Sequence, residues 1–261
     1  MLTKFLYALM ILSVISTNIY ADYFDDALNA YDSGNYIKAF ELTEQGCNNN
    51  DGRGCGFLSE LYMNGQGVKK DVLKATELIQ KSCNLGNAFG CTRLGNMYEN
   101  GEGISQNLDK AREQYEQACK LNNASGCVSL GLMYYTGKGV KQDVERGNIY
   151  QDKACKLNYG TDSGLGCFLI GGAYNSNGTG VKKNIKKTIE YYEKACDLNF
   201  DQGCYALAGL HVYGKNGISK NYSVAKKYYY KSCQLGQQEG CTNYTHIINK
   251  RFELLPKLSE R

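Results

Sequence analysis

The chain has 261 residues, 30 Lys and Arg against 26 Asp and Glu, 12 cysteines, 22 tyrosines, one proline and no tryptophan. A net charge of +4 without a basic run argues against a nucleic-acid-binding surface. An even cysteine count of this size excludes a reducing compartment as the working environment, because so many thiols persist in pairs only where disulfides are stable.

Residues 1–21 have the form of an export signal. Lys4 is a short basic head, Phe5 to Ile15 is almost unbroken apolar sequence, and Ala21 is a small residue suited to cleavage. The apolar run is shorter than the about 20 residues that a membrane span needs, so no stable membrane insertion is expected. The expected location is secreted or periplasmic.

The rest of the chain is a tandem array. Five cysteine pairs are spaced eight apart: Cys47/Cys55, Cys83/Cys91, Cys119/Cys127, Cys196/Cys204 and Cys233/Cys241. A sixth, Cys155/Cys167, is spaced twelve apart, and the first cysteines step along the chain by 36, 36, 36, 41 and 37 residues. Such a period marks stacked supersecondary units. Eight residues of one helix span roughly 12 Å, and a disulfide needs Cα atoms about 4.4–6.8 Å apart. A bond within a frame therefore requires the chain to reverse between its cysteines, joining the end of one helix to the start of the next. Pairing across frames is the alternative.

Within a unit, Leu94, Met97, Tyr98 and Gly101 recur at i, i+3, i+4 and i+7, the apolar face of a short helix. Gly95, Gly131, Gly171 and Ala208 form one small slot on this first helix. The Gly-x-Gly stretches at 65–67, 101–103, 137–139 and 178–180 read as helix terminators, not phosphate loops, since no strand precedes them and no Lys-Ser/Thr follows. A second helix opens at Asp71, Asn107, Asp143, Asn184 or Asn221, all good capping types. A second small slot is Ala75, Ala111, Gly147 and Ala225, and Tyr115, Tyr150, Tyr192 and Tyr229 are read in one core register. Residues 22–32 are expected to be a first helix without a staple, and a helix from Cys241 to about Leu254 to cap the array. The insertion at Tyr159–Ser163 is expected to bulge as a loop. The domain reading is a signal at 1–21, a repeat array at 22–254 with about six helix pairs and the capping helix, and a polar tail at 255–261.

The pattern Gly-Cys-x-x-Leu-Gly-x-Met-Tyr-x-x-Gly-x-Gly, followed by Asn-x-x-Lys-Ala-x-x-x-Tyr-x-x-Ala-Cys, is clearest from Cys91 to Cys119. It resembles the Sel1-like repeat, and the added cysteine pairs and leader resemble the secreted Helicobacter-type cysteine-rich branch of that family. The resemblance covers about residues 22–246 and departs where His211 and Ala208 replace the usual tyrosine and glycine. It implies an all-α, right-handed α/α superhelical solenoid like the tetratricopeptide repeat, with one disulfide per repeat and export.

Members of that branch are often labelled β-lactamases or penicillin-binding proteins. Here Ser223-Val-Ala-Lys226 has the spacing of a serine nucleophile and its lysine, but no Ser-Asp-Asn or Lys-Thr-Gly element accompanies it. Its counterparts Ile37, Leu73, Asp109 and Glu145 are not serine. The only histidines are His211 and His246, too few for a catalytic zinc. Neither metal nor cofactor is expected, and hydrolysis rests on the resemblance alone. The competing reading is a monomeric binding solenoid whose concave face holds an extended peptide, protein or peptidoglycan-like ligand. Its candidate groove residues are Phe57, Glu60, Asn64, Arg93, Asn96, Asn100 and Leu132, beside the apolar stripe of each first helix.

Overall fold

The structure is a computed structural model that describes residues 23–177, 179–214 and 217–251. The expected export signal at 1–21 and the expected polar tail at 255–261 lie outside the described residues. Those described are helices and turns, in two compact units, 1–121 and 122–261.

The first unit holds α1 (23–32), α2 (Tyr36–Asn48), α3 (Gly52–Asn64), α4 (Val72–Asn84), α5 (Ala88–Asn100) and α6 (Leu108–Lys120). The second holds α7 (Ala124–Thr136), α8 (Val144–Leu157), α9 (Gly160–Asn175), α10 (Ile185–Asp197), α11 (Asp201–Tyr213), α12 (Tyr222–Gln234) and α13 (Gln238–Ile248). Within each unit, sequential helices pack as antiparallel neighbours, which is how short connections place them. Among the described residues no helix is long and apolar enough to cross a membrane.

Local chemistry sets each boundary. Asn35, Asp71, Asn107, Asp143, Asn184 and Asn221 cap the second helices, each side-chain oxygen accepting the backbone N–H three residues on. Each such cap contributes about 1 kcal/mol. The first helices α3, α5, α7 and α11 stop at Gly65, Gly101, Gly137 and Gly214, all in the left-handed conformation that glycine adopts without a Cβ penalty. The second glycine of the Gly-x-Gly pair has its own reason. A Cβ on Gly103 would lie 2.6 Å from Val72 Cγ1, so the loop rests directly on the start of the preceding second helix.

The cysteine frames are helix-to-helix staples. Cys47–Cys55, Cys83–Cys91, Cys155–Cys167, Cys196–Cys204 and Cys233–Cys241 are bonded, with Cα atoms 4.4–4.6 Å apart. Cys119 and Cys127 are also disulfide-bonded, and no cysteine is free. Three residues after each first cysteine stands Asn50, Gly86, Asn122, Asn158, Asn199 or Gly236, every one at positive φ. That left-handed residue turns the chain back, joined by Gly160 in the longer Cys155–Cys167 frame. The glycine before each second cysteine lets the helices touch there: on Gly203 a Cβ would lie 2.5 Å from Ala195 Cβ.

Four expectations need correction. The Gly-x-Gly stretch at 178–180 does not end its helix, because α9 stops at Asn175 with Ser176 as an extended cap. The Tyr159–Ser163 insertion is not a bulging loop, because residues 160–163 add a turn to the front of α9, which runs to 16 residues where its counterparts have 13. The tyrosine register breaks at α8. Gln151, not Tyr150, fills the buried slot, while Tyr150 stacks on Tyr134 at 5.6 Å. The last helix ends at Ile248, not near Leu254, because Asn249 caps it and Lys250 turns left-handed.

The small slot on the first helices faces this register. A Cβ on Gly95 would lie 2.5 Å from the Tyr115 ring, on Gly131 2.5 Å from Gln151 Nε2, and on Gly171 2.8 Å from the Tyr192 ring. Each glycine therefore makes room for one large second-helix side chain. Ala208 and Tyr229 meet in the same core cluster of the last repeat.

Candidate functional site

In the first unit the polar stripes of successive first helices are joined. Arg93 on α5 donates from Nε to Glu60 Oε1 on α3 at 3.2 Å, and its two terminal nitrogens clamp the Glu102 carboxylate at 2.7 and 2.8 Å. The Arg93 hydrogen bond holds the Glu102 carboxyl below its ordinary pKa, with the Arg93 and Lys70 charges acting in the same sense against desolvation. Phe57 packs edge-on against Phe24 and Tyr31 of α1, at 6.2 and 5.3 Å between centroids. Tyr31 donates to Gln66 Oε1 at 3.2 Å. Phe57, Glu60, Arg93 and Asn96 therefore form one surface across α1, α3 and α5.

Asn96 is already engaged. The Tyr115 hydroxyl lies 2.6 Å from both Asn96 Oδ1 and Glu99 Oε2. A hydroxyl has one proton, so with the amide turned over Asn96 donates to the tyrosine while the tyrosine donates to Glu99. Asn64 and Asn100, the last residues of α3 and α5, are exposed at one end of the stripe. Leu132, 39% exposed on α7, belongs to the second unit. The stripe's internal ion pairs were not legible from the sequence. Glu102 lies in a glycine turn nine residues beyond Arg93, at no helical spacing.

A second repeated feature is a cation over a tyrosine. Lys110 lies 5.2 Å above Tyr98, Arg146 5.5 Å above Tyr134 and Lys187 4.6 Å above Tyr174. In the last repeat His211 takes the tyrosine position and Val224 the cation position, so both partners change together. His211 Nδ1 is buried without a hydrogen-bond partner among the described residues. Burial lowers its pKa, against the pull of Glu193. This is the environment of a core replacement for tyrosine.

The serine-enzyme elements are not enclosed. Ser223 and Lys226 are exposed on the first turns of α12. Among the described residues no three His, Cys, Asp or Glu side chains gather as a metal site.

Comparison with known proteins places this architecture. The Sel1 repeat model matches residues 31–51, 53–87, 88–123, 124–159, 164–200 and 201–237, so the chain belongs to the Sel1 repeat family. Its fold class is the all-α Sel1-type array of helix pairs. A Sel1 repeat protein from Oxalobacter formigenes is similar in fold, with a TM-score of 0.74, 22% identity and 92% of this chain and 93% of that one covered. The immunity protein Pa5087 from Pseudomonas aeruginosa gives a TM-score of 0.53 at 20% identity, over 88% of this chain and 86% of that one. Helicobacter pylori cysteine-rich protein B is 33% identical over 54% of this chain and 96% of its own, with a TM-score of 0.38. No curated protein matches the chain.

Proposed function

We propose that this protein is an extracytoplasmic binding scaffold that holds an extended protein segment along the first-helix stripe of its first unit. Sel1 repeat proteins serve broadly as scaffolds for protein–protein contacts, and the twelve oxidised cysteines suit an oxidising compartment outside the cytoplasm. The observation that carries the reading is the continuity of the stripe. Aromatic, arginine and amide side chains run unbroken from α1 to α5 over a core whose slots repeat unit by unit. Such side chains dominate recognition surfaces because they combine area with directional hydrogen bonding. The Arg93–Glu102 clamp pre-orders the guanidinium, so less side-chain entropy is lost when a partner docks. No observation favours hydrolysis.

The test compares two triple variants. Phe57→Ala, Arg93→Ala and Asn96→Ala together should lower affinity for the natural partner, isolated by cross-linking in the envelope, by tenfold or more. Ile37→Ala, Leu73→Ala and Asp109→Ala, all exposed on second helices, should leave it within about twofold. Equal effects at matched thermal stability contradict the reading.

A further inference from the structure

The two units differ in charge. Residues 1–121 carry 11 Lys and Arg against 15 Asp and Glu, a balance of −4, whereas residues 122–261 carry 19 against 11, a balance of +8. The near-neutral total conceals this split.

Much of the second unit's excess gathers on α12 and on the approach to α10. The α12 sequence, Tyr-Ser-Val-Ala-Lys-Lys-Tyr-Tyr-Tyr-Lys-Ser-Cys-Gln, has three lysines, four tyrosines and no acidic residue. Its outer face presents Ser223, Lys226, Lys227 and Tyr230, all exposed, and Lys220 is exposed just before the helix. At α10, Lys182, Lys183 and Lys186 are exposed and the first turn has no acidic side chain. The two helices are neighbours, since Lys231 Nζ reaches to 3.5 Å from Asp197 Oδ1. The acids of α10 are Glu190, Glu193 and Asp197, and α13, packed on α12, carries Glu239 in its first turn. Asp197 is met by Lys231, and Tyr228 hydrogen-bonds Glu193. Other second helices match their early cations with their own acids: Lys38 with Glu41 at 3.6 Å, Lys74 with Glu77 at 3.1 Å and Arg146 with Asp143 at 3.5 Å. On α12 no such acid exists.

We propose that this face of the second unit binds an acidic polysaccharide. Lysine ammonium groups are compact, strongly hydrated point charges, suited to carboxylates or sulfates spaced along a chain and not to the bidentate grip that arginine gives. Tyr230, 47% exposed between the lysines and the Tyr244 ring, offers a flat apolar surface with a polar tip, a match for a sugar ring. The backbone here is helical and its donors are spent internally, so it cannot add a peptide strand. An oxidising compartment outside the cytoplasm also favours a glycan over a nucleic acid. This face is separate from the α1–α3–α5 stripe, so its success or failure is independent of the protein-binding reading.

The experiment uses the mature, disulfide-intact chain and four probes: size-fractionated heparin as a sulfated polyuronate, polygalacturonate, polyglutamate of equal charge, and single-stranded DNA. Heparin and polygalacturonate should bind with an affinity that falls as salt is raised. Lys220→Ala, Lys226→Ala and Lys227→Ala together should weaken binding at least tenfold. Tyr230→Ala should weaken the two glycans several-fold and leave polyglutamate unchanged. The control Lys69→Ala, Lys70→Ala and Lys74→Ala, in the first unit, should stay within twofold, as should Phe57→Ala. Unaltered glycan binding in the α12 triple variant overturns the proposal. So does polyglutamate or DNA binding as tightly as heparin with no effect of Tyr230→Ala, which would assign the face to acidic peptide or nucleic acid. These exposed substitutions leave the core untouched, and an unchanged near-ultraviolet dichroism spectrum verifies the fold.

Discussion

At the scale of single residues, the clearest device is the exchange of bulk between paired helices. Tyr115 is fully buried, and its ring occupies the space that a side chain at Gly95 would need. Gly95→Ala should therefore destabilise by about 1–3 kcal/mol through overpacking, although alanine by itself favours a helix by about 1 kcal/mol. Gly172, whose Cβ would sit 3.7 Å from the Tyr192 hydroxyl in ordinary contact, is the control. Gly172→Ala should be neutral or stabilising in urea unfolding, and equal loss in both variants contradicts this packing account. A second residue-scale outcome concerns acid. The Glu102 carboxyl has a lower pKa folded than its ordinary 4.5, chiefly through the Arg93 hydrogen bond. Its contribution is thus present above about pH 4.5 and is lost as pH falls through the lower folded value. Glu102→Gln should flatten the dependence of unfolding on pH in that window. An unchanged acid profile would show that the clamp contributes nothing.

The small slots were readable from the sequence because a repeat that packs on a copy of itself must keep them. The identity of the opposing residue at 151 was not. Tyr150 and Gln151 are adjacent, and attention to tyrosine alone selects the wrong one. Strict 36-residue spacing from Tyr115 selects Gln151. Counting from each first cysteine would also have found the left-handed turn residue, always Asn or Gly, that folds each frame back on itself.

At the scale of elements, each helix is short, 11 to 16 residues from α2 onward. Helices of this length are marginal alone and depend on caps and tertiary contacts. The staples join each second helix to the next first helix, at buried cysteines in all but the last frame, where Cys233 and Cys241 are half-buried. Closing a loop of nine residues is worth about 2.6 kcal/mol in the chain-entropy model, so the set is comparable with the about 5–15 kcal/mol of a whole domain. Full reduction should therefore lower the melting temperature by well over 10 °C, measured by far-ultraviolet dichroism with and without excess dithiothreitol. An unchanged melt would mean that the apolar slots alone sustain the array. The Tyr159–Ser163 insertion shows where element reading stops. Its Gly, Thr, Asp and Ser suggest a loop, yet the Ser163 hydroxyl accepts the Tyr159 backbone N–H at 3.0 Å and the added residues extend α9. A local hydrogen bond, with Gly164 and Gly166 packed closely on the next and preceding helices, outweighs low helix propensity.

At the scale of the whole molecule, the tandem array of helix pairs follows from periodicity, because each unit must bury its apolar face on its neighbour, whereas the family rested on resemblance and the within-frame pairing was one of two alternatives until the structure showed it. The proposed binding surface followed less fully, since its ion pairs link residues from different helices and turns. The central proposal is that a partner lies along the first helices of the first unit. Photo-cross-linking tests it most directly, with benzoylphenylalanine placed one at a time at exposed Asn64 and Asn100, and at exposed Ile37 and Leu73 on the second helices. One common protein adduct is expected from positions 64 and 100, competed by unlabelled protein, and none from 37 and 73. Adducts from 37 and 73, with none from 64 and 100, would contradict it.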